Sequence, residues 1–400
     1  TLPAVRSLRT DIGLAMATAT AFGFTYAAHA PLLPLISAEF VLSDVQAGLI
    51  ATALFLAAAV TMLLAGDAAD RYPPRAVNTF GLAVALAGNV ASGLAPSYEV
   101  LLLAKAIGGV GAGLGFLSGL RYIARRYGAS RAHFGHGLYG GGFPLGSAIA
   151  LWVMPSFAGA WGWRGAFLAT SVAMAAVLLM WLRATPVPKM TRPGDVRDAV
   201  RCPNCWWTAV QHAAGFGLTL AAGTWMTTYL LREFGLPLDA SGLLGSVLLV
   251  LAVVARPVGG FLLAREHLGS LTVMRLAQVS IISGIALLAF PERPLAVAMV
   301  GAVAVGFGGG APYAAVFNTA AASLRSAPSA AQGLTGLGGL VGTLAGAPAM
   351  GYAIQSWGFS SAWLILGLLS IAALAVTFVM RGEEQLVSDS ARGHRAAAGP

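Results

Sequence analysis

The sequence predicts an all-α polytopic membrane protein with twelve transmembrane helices in two pseudo-symmetric six-helix bundles. Three observations support this prediction: a very apolar composition, twelve apolar stretches long enough to cross a membrane, and an internal repeat. Of the 400 residues, 57% are hydrophobic and only 10% are charged, against about 25% charged residues in an ordinary soluble domain. This balance excludes a disordered chain, a nucleic-acid module and a typical cytosolic enzyme.

A transmembrane helix needs about 20 predominantly apolar residues. Segments of that kind cover residues 11–37, 46–68, 76–96, 98–123, 133–157 and 163–183 in the first half, and 206–231, 240–264, 271–290, 294–322, 328–353 and 360–381 in the second. We refer to them as spans 1 to 12. The Pro-rich and charged stretch 184–205 is a predicted cytoplasmic linker between bundles 1–183 and 206–381. The polar tail 382–400 is predicted to be disordered.

The basic residues predict the orientation. With the N-terminus inside, 18 of the 24 Lys and Arg residues lie at cytoplasmic ends, loops or tails, and only Arg164, Arg232 and Arg293 lie outside. We therefore expect an inner-membrane protein with both termini in the cytoplasm. The same asymmetry explains the net charge of +9 without a nucleic-acid partner. No small-residue cleavage site follows span 1, so we expect no cleavable signal peptide.

The two halves match at a nearly constant offset. Glu39, Phe40, Gly48, Gly66 and Arg71 recur 194 residues later as Glu233, Phe234, Gly242, Gly260 and Arg265. Gly137, Gly140, Gly142, Gly146 and Gly162 recur 196 residues later as Gly333, Gly336, Gly338, Gly342 and Gly358. Two like-folded halves of this kind commonly place a substrate site between them near mid-membrane.

The loop between spans 2 and 3 reads Gly66-Asp67-Ala68-Ala69-Asp70-Arg71-Tyr72-Pro73-Pro74-Arg75. It resembles the loop signature of the major facilitator superfamily of secondary transporters, and the resemblance extends over residues 10–382. It implies two bundles that rock about a central site. It also implies that Gly66, Asp70, Arg71 and Arg75 form a conformational latch that stabilises the outward-facing state. Pro73 replaces the usual Gly, and the second-half copy has Ala264 in place of the acid.

Three further segments carry the resemblance. Span 4 contains Lys105-Ala106-Ile107-Gly108-Gly109, where the family motif has Arg at the Lys105 position. Span 5 contains Gly142-Phe143-Pro144-Leu145-Gly146, which loosely resembles the antiporter motif. Span 8 contains Ala255-Arg256-Pro257-Val258-Gly259-Gly260, which resembles a segment of nitrate/nitrite porters and of monocarboxylate transporters. Nitrate porters usually carry a further Arg in span 2, and its absence here argues against nitrate itself.

Charged side chains inside the membrane suggest the substrate class. Arg256 lies about 12 Å from the inner end of span 8, and Arg121 and Lys105 lie within span 4. No acidic residue is predicted within the hydrocarbon. A guanidinium without a counter-ion suits a carboxylate or oxyanion substrate. Alternatively, Arg256 bonds carbonyls beside Pro257, Arg121 extends to the cytoplasm, and Lys105 braces a neighbouring helix or takes part in coupling.

His29 is the only intramembrane group that we expect to titrate near neutral pH. It can carry a coupling proton, or it can simply bond a backbone carbonyl. Aromatic side chains provide candidate walls for the substrate, although each can equally pack between helices. These candidates are Tyr26, Tyr139, Trp225, Tyr229, Tyr313 and Phe317.

The sequence predicts neither a metal nor a cofactor. Cys202 and Cys205 have the spacing of half a zinc site, but no second pair exists, so we expect ordinary linker sequence. No phosphate-binding loop and no catalytic triad occur, which argues against ATP-driven transport and against an enzyme.

We therefore expect a monomeric secondary transporter that moves a small anion by alternating access. Transport would be proton symport or anion exchange. One alternative is a proton-coupled drug efflux antiporter, which the span 5 motif supports but which we expect to need an acid in its cavity. Another is a non-transporting receptor or scaffold, which the short loops argue against.

Overall fold

The computed structural model describes residues 7–127, 132–188, 196–264 and 268–389. Within these ranges it leaves out the side chains at 63–71, 124, 127, 132–138, 196, 264 and 329. Eight of the described helices are long and apolar enough to cross a membrane, and two of them, of 43 and 47 residues, each contain two spans. Spans 1 and 7 are each divided into shorter pieces. The described chain therefore agrees with the twelve-span prediction.

In the first half, span 1 consists of Leu8–Ala27, a 3-10 turn Ala30–Leu32 and Leu33–Phe40. Spans 2, 3 and 4 are Asp44–Arg71, Pro74–Gly93 and Tyr98–Tyr127, and Ala132–Trp181 forms spans 5 and 6. In the second half, span 7 consists of Pro203–His212, a π-helical segment Ala213–Gly217 and Leu218–Phe234. Spans 8 and 9 are Leu238–Ala264 and Ser270–Ala289. Span 10 consists of Leu295–Gly310 and Tyr313–Ser323, and Pro328–Val376 forms spans 11 and 12.

The predicted linker and tail both contain ordered helix. Val196–Arg201 is helical and span 7 begins at Pro203, three residues before the predicted start; residues 189–195 lie outside the description. Residues 383–389, predicted to be disordered, form a helix. Glu384 accepts hydrogen bonds from the Ser270 backbone N–H (2.6 Å) and hydroxyl (2.8 Å) at the start of span 9. A carboxylate at a helix N-terminus is stabilised by the exposed N–H groups there, which explains why the prediction was wrong for this part of the tail. Residues 390–400 lie outside the description.

The backbone carries the same repeat as the sequence. Gly162 between spans 5 and 6 has φ 69° and ψ 170°, and Gly358 between spans 11 and 12 has φ 78° and ψ 177°. This region of backbone space is essentially restricted to glycine. Close helix packing recurs as well: a Cβ on Gly88 would lie 2.4 Å from Gly108 N, and one on Gly284 would lie 2.6 Å from Gly301 O. The two halves are therefore built on the same plan.

The outward surface is apolar in the way a bilayer requires. Leu103, Val172 and Leu368 are 62%, 72% and 61% exposed on spans 4, 6 and 12. Large apolar patches on a soluble monomer would be a liability, whereas lipid tails solvate them. The composition and the fold therefore agree on a membrane environment.

The two halves contact each other closely where spans 2 and 8 begin. A Cβ on Gly48 of span 2 would lie 3.0 Å from Pro348 Cα of span 11. On the other side of the molecule, a Cβ on Gly242 of span 8 would lie 2.5 Å from the Leu151 carbonyl oxygen of span 5. These two helix pairs hold the halves together.

Candidate functional site

Arg256 of span 8 lies between the two halves. Its side chain is buried, and Nη1 donates a hydrogen bond to the carbonyl of Gly140 on span 5. That carbonyl is free to accept because the helical partner four residues later is Pro144, which has no N–H. The guanidinium also lies 4.3 Å from the centre of the Tyr313 ring and 6.0 Å from that of Phe216. Arg256 thus spans the interface between the halves and does not face lipid.

The charge of Arg256 has no protein counter-ion among the described residues. The ion pairs in that part of the chain join Arg126 to Asp11, Arg164 to Glu39, Arg232 to Asp44, Arg293 to Glu233 and Arg381 to Asp389. The Arg256 Nε is buried and has no hydrogen-bond partner there. A buried cation with an unused donor is costly unless a ligand or water completes it, so this group can receive an anion.

An aromatic cluster lies beside the guanidinium and crosses the interface. Phe143 of span 5 packs on Phe216 of span 7, with ring centroids 5.2 Å apart. On the first-half side, Tyr26 and Phe116 pack on Phe143 at 4.8 and 5.3 Å. On the second-half side, Tyr313 and Phe317 pack together at 4.7 Å. Of the six predicted aromatic candidates, Tyr26, Tyr313 and Phe317 therefore belong to this cluster.

Tyr139 contacts the same cluster from its first-half side. Its ring lies 5.2 Å from Phe116, and its hydroxyl donates to the Phe116 carbonyl at 3.0 Å. The other two predicted candidates lie in packing contacts of the second half. Trp225 Nε1 donates to the Ala347 carbonyl at 2.9 Å, and the Tyr229 hydroxyl donates to the Leu288 carbonyl at 3.1 Å.

His212 is a site residue that the sequence analysis missed. Its ring stacks on Phe216 with centroids 5.0 Å apart and 7° between planes, and it meets the Phe317 ring edge-on at 4.9 Å. The sequence predicts His29 as the intramembrane group that titrates near neutral pH, and His212 is a second buried histidine, in span 7. The predicted span 7, which began at residue 206, already contained it. Its depth in that span was the signal that could have identified it.

His29 and Lys105 are buried in the first half. Lys105 Nζ donates to the Thr25 carbonyl of span 1 at 3.2 Å and lies 5.4 Å from the centre of the Phe167 ring. This geometry is that of a brace between spans 4 and 1. Neither nitrogen of His29 has a hydrogen-bond partner among the described residues, contrary to the carbonyl bond considered above.

The remaining predicted residues lie on spans 2, 3 and 4. Arg121 is half-buried on span 4. Arg75 donates to the Leu182 carbonyl and so links the start of span 3 to the end of span 6. Gly66, Asp70 and Arg71 fall within residues 63–71, whose side chains lie outside the description, although the span 2 helix continues to Arg71.

A twelve-helix fold of two repeated halves, with an unneutralised cation at their interface, defines a membrane transporter of the alternating-access class. The sequence profile of the Major Facilitator Superfamily matches residues 15–331 and 214–398. The chain belongs to this superfamily.

Relatives within it have names that refer to anions. The chain is 30% identical over 243 residues to the probable nitrate/nitrite antiporter NarK1 of Thermus thermophilus, covering 56% of this chain and 54% of that protein. It is 28% identical over 328 residues to the probable nitrate/nitrite transporter NarK2 of Mycobacterium tuberculosis (strain H37Rv), covering 77% and 81%. It is 27% identical over 267 residues to the probable sulfoacetate transporter SauU of Cupriavidus necator, covering 60% and 62%.

Solved structures support the fold. A bacterial homologue of the human lysosomal transporter Spinster, in an inward-facing and unoccupied conformation, superposes with a TM-score of 0.75 at 17% sequence identity. The superposition covers 96% of this chain and 98% of that one.

Proposed function

We propose that this protein is a secondary transporter that moves a small anion, a carboxylate or a nitrate-like oxyanion, across the inner membrane by alternating access. The observation that carries the proposal is the buried Arg256 guanidinium between the halves, with no carboxylate partner among the described residues. A planar guanidinium can bind two oxygens of such an anion at once. The names of the nitrate, nitrite and sulfoacetate relatives support this substrate class.

Arg256 is the proposed anchor, and Tyr313 and Phe216 flank it. The Arg256 guanidinium bonds the Gly140 carbonyl of the opposite half. An anion that takes this donor removes a contact between the halves and replaces it with a bond in which donor and acceptor are both charged. Binding therefore changes the interaction between the two bundles, as alternating access requires.

The charge in this site also helps to distinguish an anion transporter from the alternative, an exporter of cationic drugs. An exporter of lipophilic cations is expected to hold an acid in its cavity. The part of the chain that the structure describes places Arg256, and no carboxylate, among these aromatic rings. We therefore propose an anion over a cationic drug, with a monomeric chain and both termini in the cytoplasm.

The test compares purified Arg256→Ala and Arg256→Lys with the unchanged protein. Nitrate, nitrite, acetate and lactate binding are measured by calorimetry, and flux is measured in proteoliposomes. Charge-assisted hydrogen bonds contribute about 1.5–3 kcal/mol, so Arg256→Ala should bind the preferred anion about 10- to 100-fold more weakly. Arg256→Lys should bind the anion with intermediate affinity, because lysine keeps the positive charge but lacks the planar guanidinium that bonds two oxygens at once.

Arg275→Ala is the matched control. Arg275 donates to the Thr377 hydroxyl and carbonyl at 3.1 and 2.9 Å, outside the aromatic cluster. The Arg275→Ala variant should bind the anion as tightly as the unchanged protein. Undiminished binding by a folded Arg256→Ala would overturn the proposal.

A further inference from the structure

We propose that His212 binds a proton together with the anion at Arg256, so that the two cross the membrane as a pair. This inference rests on the proposed function and specifies its coupling ion. The step is a protonation alone: an imidazole nitrogen takes a proton from the water on the side where the anion enters and returns it to the water on the side where the anion leaves.

His212 and Arg256 lie beside the same two rings. Phe216 is 5.0 Å from the His212 ring and 6.0 Å from the Arg256 guanidinium. Tyr313 is 6.2 Å from the His212 ring and 4.3 Å from the guanidinium. The imidazole and the guanidinium therefore share two ring neighbours, and the charge of Arg256 acts on His212.

The local fold fixes the imidazole in this position. His212 is the last residue before the π-helical segment Ala213–Gly217, and such segments often occur at functional sites. It stacks on Phe216, four residues along, and meets Phe317 edge-on. A Cβ on Gly339 of span 11 would lie 2.5 Å from His212 Cδ2, so that glycine leaves just enough room for the ring.

The charges around His212 link the proton to the anion. The charged or titratable groups that face it among the described residues are Arg256 from span 8 and Tyr313 from span 10. Span 10 also contributes Phe317, and span 11 contributes Gly339, neither of which titrates. A protonated imidazole would repel the nearby guanidinium, and an anion between them removes that repulsion. Proton and anion binding must then strengthen each other by the same factor.

His29 provides the contrast within the same chain. It is also buried, but it lies in the break of span 1, and Lys105 bonds the Thr25 carbonyl one turn before it. It has no ring contact with the aromatic cluster among those that the structure describes. His29→Gln is thus a matched control for His212→Gln.

The experiment measures nitrate and acetate affinity of the purified protein at pH 5.5, 6.5, 7.5 and 8.5. The unchanged protein should bind the preferred anion more tightly as the pH falls, by up to about tenfold per pH unit for one linked proton. His212→Gln should bind with an affinity that does not change over this range. His29→Gln should retain the pH dependence. His212→Asn is a second neutral variant in case the first fails to fold, and a thermal melt of each variant precedes binding.

Flux in proteoliposomes completes the test. An inward pH gradient should drive anion uptake by the unchanged protein and by His29→Gln. Neither His212 variant should respond to the gradient, although both should still exchange labelled for unlabelled anion. If anion binding by the His212 variants still depends on pH, this inference is overturned. It is also overturned if the unchanged protein binds the anion equally well at every pH while Arg256→Ala does not bind it. An affinity that does not require Arg256 would overturn the proposed function as well.

Discussion

Asp44 and Arg232 form a two-contact ion pair that joins the halves where span 2 begins and span 7 ends. Arg232 Nη1 lies 3.1 Å from Asp44 Oδ2, and Nη2 lies 3.0 Å from Oδ1. Asp44 begins span 2 and Arg232 is near the end of span 7. A Cβ on Gly351 of span 11 would lie 2.5 Å from the Asp44 carbonyl oxygen, so the ion pair sits beside a tight helix contact. The two halves are closed against each other here.

We predict that Asp44→Asn shifts the protein towards an outward-open state. The Arg232 and Asp44 side chains are 42% and 17% exposed, and pairs of this kind contribute about 0.2–1 kcal/mol. The open population should therefore rise about 1.5- to 5-fold. It can be measured as the labelling rate of a cysteine at Met350 by an impermeant maleimide. Arg232→Ala should raise the labelling rate in the same way. The double variant Asp44→Arg with Arg232→Asp restores an ion pair and should return the labelling rate towards that of the unchanged protein. Equal labelling in all of these proteins would contradict the prediction.

A second prediction concerns the residues that directly follow the last helices of spans 1 and 7, which end at Phe40 and Phe234. Val41 has φ 53° and its repeat counterpart Gly235 has φ 64°, both left-handed. This conformation costs an L-residue about 1–2 kcal/mol, and the side chain of Val41 is 87% exposed, so it contributes little packing. Val41→Gly should raise stability by about 0.5–1 kcal/mol after the entropy cost of glycine, measured by thermal unfolding in detergent. Gly235→Val should lower it, and a loss of stability in Val41→Gly would count against the argument.

The glycines between paired spans lead to a third prediction. Gly162→Ala and Gly358→Ala should each lower stability by about 1–3 kcal/mol, because φ 69° with ψ 170° and φ 78° with ψ 177° disfavour any side chain. Neither site has an atom within 4 Å of the added Cβ, so the loss would come from the backbone alone. Gly159→Ala, also in open space, is the control and should be neutral or stabilising. Thermal melts of the three variants measure these differences in stability.

The twelve spans and the repeat could be predicted from the sequence because lipid allows the backbone so few structures. Helices must satisfy their own hydrogen bonds, and their apolar length therefore shows directly in the residue pattern. Counting residues along span 8 also predicted that Arg256 lies within that span, where the structure buries it. The repeat also located Gly162 and Gly358 at corresponding turns.

The partners of Arg256 and the role of His212 could not be predicted in the same way. The contact between Arg256 and Gly140 depends on how the two halves approach each other, which the local pattern does not encode. Pro144 was the available clue, since it frees the Gly140 carbonyl. The π-helical segment after His212 changes which side chains share a face, and hydrophobic periodicity does not reveal it.

A fourth prediction concerns the effect of acid pH on Glu39, near the end of span 1. Hydrogen bonds from Trp163 Nε1 and Arg164 Nη1, both 2.6 Å long, lower the pKa of Glu39. A lowered pKa in the folded state contributes stability above the unfolded value of about 4.3, and this is lost as the pH falls through the folded value. Glu39→Gln should therefore melt below the unchanged protein at pH 7, and the difference should shrink below about pH 4. Glu292→Gln, which changes another exposed glutamate, is the control. A difference that does not depend on pH would contradict the assignment.

The last prediction uses Gly339 to test the stacked rings without touching a polar group. An alanine Cβ there would lie 2.5 Å from His212 Cδ2 and 2.8 Å from Phe216 Cδ1, so both rings must move. Overpacking of this kind costs about 1–3 kcal/mol, and we expect Gly339→Ala to bind the preferred anion about tenfold more weakly. Gly336→Ala, one turn earlier on span 11, has nothing within 4 Å of its Cβ and should bind normally. Calorimetric titrations of both variants compare them. Unchanged affinity in Gly339→Ala would mean that the positions of His212 and Phe216 do not determine anion binding.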